Sequence, residues 1–384
     1  IYTYLDVRFG KTAYRTGASF FLLSKMLGAA ARLYLVCLIL QNYVFGSMGV
    51  PFEITAAGTV SLIWLYTFRG GIKSLVWTDA LQTLCLITAL VLILYQLCRL
   101  NDFTVTEAIR HVTESPYGRW IEWDDWTSRQ HFVKQFFSGV FIVIVMTGLD
   151  QDMMQKNLTC KNLRDAQKDM CSYGFSFIPL NMLFLGMGIL LLALASREGI
   201  ALPVKGDDIL PLFCAEGYLG NGVLVLFTIG IIAAAFSSAD SALTALTTSF
   251  CVDILDVEQR FARPEAVRKR VHGVIALLFV GFILCFEAVN DSSVIDAIYV
   301  VASYTYGPLL GLFAFGMFPR RKLWPAAVPW ICVTAPVCCY LLDIWTASVY
   351  GYRFGYELLM LNGLFTFVGL YAFSKAYSPG MDKR

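Results

Sequence analysis

The residue types best suited to chemistry lie in one apolar stretch, Ile231 to Leu255, IIAAAFSSADSALTALTTSFCVDIL. About 20 residues cross a bilayer as a helix, so the stretch is long enough to span. At about 100° per residue, Ala234, Ser237, Ser238, Asp240, Ser241, Thr244 and Thr248 gather on an arc narrower than half the helix. Phe236, Ala239, Leu243, Leu246 and Phe250 take the other side. Hydrocarbon gives a bare polar group no partner, and hydroxyl, carbonyl and carboxylate oxygens are the ligands that hard cations prefer. The stripe is therefore read as a cation site. Serine and threonine also mediate plain helix packing or bond back to their own helix, and for the hydroxyls alone the two accounts balance. Asp240 tips the balance, because a carboxylate in mid-span is costly and by default functional.

Three further groups stand out. Asp79, in VWTDALQ near the start of an apolar segment, is either an interfacial acid beside Lys73 or a cation ligand facing the Ser237–Ser241 stripe; the second is preferred. Arg32 lies deep within SKMLGAAARLYLVCLIL, seven residues after Lys25 and so on nearly the same helical face. Lys25 is expected to snorkel toward the membrane surface. Arg32 is too deep for that and needs a partner or an aqueous cavity. It either pairs with Asp79 or Asp240, or receives an anionic group of a solute, held bidentately. Gly307-Pro308 follows Ser303, Tyr304, Thr305 and Tyr306 and breaks the surrounding span; interrupted helices at mid-membrane carry transporter sites. A simple proline kink is the competing account. Met146-Thr147-Gly148 marks a weaker second interruption.

These residues need membrane helices to position them. The 384 residues are 57% hydrophobic and only 15% charged, with mean hydropathy +0.63, which describes a polytopic membrane protein and excludes a soluble globule. Ten spans are predicted, near 15–43, 54–71, 74–98, 132–154, 170–196, 221–250, 271–289, 294–318, 324–345 and 356–375. Arg69-Gly70-Gly71 is expected to form a tight turn between the second and third. Most of the thirty basic residues fall on the connections that share a side with the N-terminus. Both ends are therefore placed in the cytoplasm. The net charge of +2 implies no nucleic-acid partner, and the eleven cysteines read as buried thiols. The three histidines lie at span ends or in loops. Sequences for nucleotide binding or hydrolase chemistry are absent, which argues against a pump or an enzyme.

Three segments together resemble the sodium:solute symporter family: RGGIKSLVWTDALQ (69–82), LDQDMMQKNLTCKNLRDA (149–166) and AAAFSSADSALTALTTSFCVDIL (233–255). YLDVRFG (4–10) also fits the segment following the family's third span. The resemblance implies an all-α, LeuT-type fold of inverted five-helix repeats in a single transmembrane domain, 1–384. Core helices three to ten would occupy 1–318, and two accessory helices 319–384. An outer helix and core helices one and two would precede Ile1, which makes the chain a fragment by this reading. The family's main sodium site falls on the Ala234 carbonyl with the Ser237 and Ser238 hydroxyls. A second cation site or exit pathway falls on Asp79, Ser237, Ser241 and position 240, usually small or neutral but here Asp240. Substrate contacts are expected at Arg32, Ser303 and Tyr304. The implied function is sodium-coupled symport of a small organic solute or anion by alternating access in the cell membrane. Sodium would be the coupling ion, with no organic cofactor and no obligate protein partner. A proton-coupled carrier and the membrane domain of a sensor are the alternatives.

Overall fold

The computed structural model describes residues 1–67, 72–119, 121–289, 294–319 and 321–376. The Arg69-Gly70-Gly71 turn lies outside them. The helices run α1 (Thr3–Phe9), α2 (Lys11–Leu40), α3 (Phe52–Thr67), α4 (Ile72–Leu100), α5 (Val105–Glu114), α6 (Phe132–Val143), α7 (Gln151–Asn157) and α8 (Leu163–Glu198). They continue with α9 (Ile209–Ala215), α10 (Asn221–Ser249), α11 (Val257–Arg260), α12 (Pro264–Val289), α13 (Val294–Met317), α14 (Ala327–Tyr350) and α15 (Leu358–Ala372). Within the described residues each of the ten predicted spans contains helix, and the tenth ends in strand rather than helix at Ser374. Among the described residues, seven helices are long and apolar enough to cross a membrane by length and composition. The chain is a multi-pass membrane protein. The all-α expectation needs one addition, a short antiparallel pair of β1 (Arg321–Leu323) and β2 (Ser374–Ala376).

The bundle is organised around α2. Its small residues Ala29, Ala30 and Ala31 are buried against α3, α10 and α12, while Ala13, Ala18 and Phe21 are buried against α1, α13 and α14. Small side chains let helix backbones approach closely where lipid supplies no hydrophobic drive. A separate core joins α4, α8 and α9 through Leu90, Leu97, Leu191 and Phe213. α10 is buried on two sides: Ala239, Leu243 and Leu246 pack with α2 and α12, and Asp240 and Ser241 are buried on the opposite arc. At its end a π-helical turn, Phe250–Ile254, presents Asp253 to α2, where Tyr14 Oη donates to Asp253 Oδ1 at 2.6 Å.

The two expected helix interruptions exchange places. α13 is continuous through Gly307-Pro308. Pro308 has no N–H to direct at the Tyr304 carbonyl, and Asn362 of α15 supplies the missing donor: its Nδ2 lies 3.0 Å from both the Ser303 and Tyr304 carbonyl oxygens. The glycine serves contact, not a break, since a Cβ on Gly307 would stand 2.3 Å from the Asn362 side chain. Asn362→Leu keeps the volume and strands the Tyr304 carbonyl, which Pro308 leaves without a helical donor, an expected loss of about 2 kcal/mol. Thermal unfolding in detergent measures it; an unchanged midpoint would show that the carbonyl finds another donor.

The fourth span is the divided one. α6 passes into a π-helical turn, Ile144–Gly148, stops at Leu149 and Asp150, and resumes as α7. Asp150 caps the new helix: its Oδ1 accepts from the backbone N–H groups of Asp152 at 2.9 Å and Met153 at 3.3 Å.

Candidate functional site

α4 and α10 meet where Gly230 lets α10 approach α4; a Cβ there would come within 3.1 Å of Leu86. This contact brings the two sequence-predicted groups together. Ser237 Oγ donates a hydrogen bond to Asp79 Oδ1. A cavity of about 240 Å³ opens beside them, lined among others by Tyr66, Gln82, Ala233, Ser237 and Asp240. Asp240 is 1% exposed and Ser241 4%, and Ser241 Oγ has no hydrogen-bond partner among the described residues. A buried hydroxyl without a partner costs about 1–3 kcal/mol. Asp79 and Ser237 at the contact and Asp240 on the adjoining cavity offer oxygen donors of the kind a hard cation takes, and Ser241 lies one turn beyond Ser237 on α10. Ala234 is half-buried and Ser238 exposed, both on the same stripe.

The remaining predicted residues do not converge on this point. Ser303 is buried with its Oγ on the Tyr299 carbonyl at 2.8 Å, and the Tyr304 ring faces Tyr340 of α14 with centroids 6.3 Å apart. Arg32 is exposed, its Nε donating to the Gly28 carbonyl at 3.1 Å, and it makes no ion pair among the described residues. The alternative pairing of Arg32 with Asp79 or Asp240 is thus not made.

Lys25 does not snorkel. It is buried, with Nζ 3.0 Å from Asp150 Oδ2, 3.1 Å from Asp150 Oδ1 and 3.3 Å from Asp152 Oδ2. A buried ammonium must be compensated, and removing one partner of such a pair costs about 3–5 kcal/mol. Sequence reasoning missed this cluster because LDQD, inside the predicted fourth span 132–154, entered only through the family resemblance and its carboxylates were not weighed as partners for Lys25. The signal was present: a lysine in mid-span demands a counter-charge, and Asp150 and Asp152 flank the weaker of the two suspected interruptions. His272 was likewise set aside. It is buried in α12 and bridges Thr67 at the end of α3 and Thr247 in α10, at 2.9 and 3.0 Å.

A membrane bundle with one discontinuous helix and buried oxygen ligands at a helix contact has the architecture of a secondary transporter. Comparison with known proteins is more specific. Residues 3–325 match the sodium:solute symporter family, and the chain belongs to that family. Sodium/sialic acid symporter NanT of Aliivibrio fischeri is 25% identical over 328 residues, covering 84% of this chain and 64% of its own. SiaT of Proteus mirabilis, another sodium/sialic acid symporter, is 25% identical over 346 residues, covering 87% and 68%. The human sodium/iodide cotransporter is 23% identical over 340 residues, covering 83% and 50%. The chain thus spans about half to two thirds of the length of these relatives. A substrate-bound, outward-open structure of a Na⁺-coupled sialic acid symporter matches with a TM-score of 0.75 at 20% identity, covering 98% of this chain and 78% of that one. The chain shares its fold.

Proposed function

We propose that the protein carries out sodium-coupled symport of a small organic solute, most simply one bearing a carboxylate, by alternating access. The observation that carries the reading is the Ser237–Asp79 hydrogen bond between α10 and α4, with Asp240 and Ser241 buried on the same helix. Sodium would be held by the Ala234 carbonyl and the Ser237 and Ser238 hydroxyls, the half of the main site that the family resemblance assigns to α10. Asp79, Asp240 and Ser241 would form a second cation site or the exit path. Entry of one sodium ion down the membrane potential supplies about 2.3 kcal/mol per 100 mV. Sodium that favours the outward-open state raises solute affinity, and solute raises sodium affinity by the same factor. With both termini in the cytoplasm, as the distribution of basic residues argues, Asp79 lies toward the inner face and sodium leaves past it.

A proton in place of the second sodium is the other reading, favoured by the buried carboxylate of Asp240. Uptake into proteoliposomes driven by a sodium jump at fixed pH, compared with a pH jump without sodium, separates them. Symport is expected to follow sodium alone; uptake following only the pH jump would reject it.

Arg32 supports an anionic solute, being exposed and without an ion pair among the described residues. Several relatives bear names that specify anions, among them sialic acid, iodide and a monocarboxylate. Arg32→Ala is expected to raise the KM for a carboxylate solute about tenfold or more, the value of a lost charge-assisted hydrogen bond. A neutral sugar should be affected less. Equal loss for both would rule out the anion-binding role.

A further inference from the structure

A second polar cluster lies at the divided helix, around Lys25, Asp150 and Asp152. Leu149 and Asp150, the two residues at which the fourth span is not helical, are held from two other helical elements. Tyr2, just ahead of α1, donates its hydroxyl to the Leu149 carbonyl at 2.8 Å. Lys25 of α2 grips both Asp150 oxygens and one of Asp152. Tyr306 of α13, itself 3% exposed, is buried in one core with Tyr2 and with Val145 of the π-helical turn. Lys25 and Asp150 are 6% and 3% exposed. Charges this deep are costly to separate, because each would be left without water or partner. The pair is therefore suited to staying closed through a conformational cycle and poorly suited to opening as a gate.

We propose that Lys25 is a positioning residue for solute binding. It pins the start of α7 to α2 and so fixes the shape of the break between Ile144 and Asp150. Arg32, proposed above to take the solute's anionic group, lies two turns or about 10 Å farther along the same face of α2, so a shift of α7 against α2 would move the break relative to that guanidinium. Rearrangement within the fourth span is then confined to the π-helical turn, while α7 and α2 move as one body. The solute part of this inference rests on the transport reading; the pin itself does not.

The test uses the protein with Lys25→Met and Lys25→Arg, purified and reconstituted, with N-acetylneuraminic acid as the probe. Lys25→Met is expected to raise the KM for the probe about tenfold, the coupling typical of residues in one network. Half-saturating sodium, measured at saturating probe so that the coupling of the two sites does not enter, should stay within about twofold, because the α10 side chains are untouched. Amide hydrogen exchange over 144–154 should accelerate about tenfold while α10 and α12 keep their protection. Lys25→Arg, which keeps the charge and the reach, should restore both. The proposal is overturned if exchange over 144–154 is unchanged, if its acceleration spreads through the whole bundle, or if the sodium and solute constants rise together. A wild type without sodium-driven uptake would remove the transport reading instead, and exchange over 144–154 would then decide the pin by itself.

Discussion

Asp79→Asn is expected to raise the sodium concentration for half-maximal uptake about 10- to 100-fold, and Ser237→Ala by less, although the two side chains share one hydrogen bond. The asymmetry follows from what an arriving ion displaces. Without an ion at this position, the Ser237 hydroxyl satisfies the Asp79 carboxylate, and a hydrogen bond to a charged group contributes about 1.5–3 kcal/mol. A cation entering the site must break that bond and offer its own charge in return. Asp79→Asn removes the charge and leaves the hydroxyl with a neutral amide, so the ion loses its strongest attraction. Ser237→Ala removes one ligand but also frees the carboxylate from a competitor, and the two effects offset in part. The double variant should then be no worse than Asp79→Asn alone, since residues in direct contact are not additive. Sodium titration of uptake, or of radioactive sodium binding, measures all three. Equal and additive losses would place Asp79 and Ser237 at separate points of the path and sink the shared site.

The polar stripe of α10 was legible because its signal is local. Six polar residues of one helix, gathered on one arc and including a carboxylate, announce their face without knowledge of any neighbour. That Ser237 meets Asp79 across 158 positions of chain could be expected only from the family likeness, because periodicity fixes which face a residue takes and not which helix it faces. The helix breaks show the limit from the other side. Gly307-Pro308 has the composition of an interruption, yet Asn362, a single polar residue 54 positions on, replaces the lost donor and keeps α13 whole. Leu149-Asp150 has no glycine or proline in it and divides its span because Asp150 caps a new helix and Lys25 compensates the charge. Whether a polar residue in a membrane ends a helix or continues one depends on the partner it finds, and the partner is a property of the packed bundle. Lys25 carried the same lesson: its length permitted snorkelling, and only the position of Asp150 excluded it.

The contact of α13 with α15 makes the other large prediction. A Cβ on Gly311 would lie 2.5 Å from the Gly363 carbonyl oxygen and 2.5 Å from Thr366 Cβ. One obstacle is backbone and the other a β-branched side chain buried at 0% exposure, so neither can swing aside. Gly311→Leu must therefore push α15 away from α13, at about 3 kcal/mol for overpacking. The separation also draws Asn362, one helical turn from Thr366, off the Ser303 and Tyr304 carbonyls, which adds the cost of a stranded acceptor at Tyr304, where Pro308 supplies no helical donor. Gly58 of α3 supplies the control, because nothing lies within 4 Å of its added Cβ. There a side chain meets open space, and Gly58→Ala should be neutral or stabilising by up to about 1 kcal/mol through helix propensity alone. Melting of both variants in the same detergent compares them directly. A Gly311→Leu protein as stable as Gly58→Ala would mean that α15 is not clamped to α13, and that Pro308 is accommodated without it.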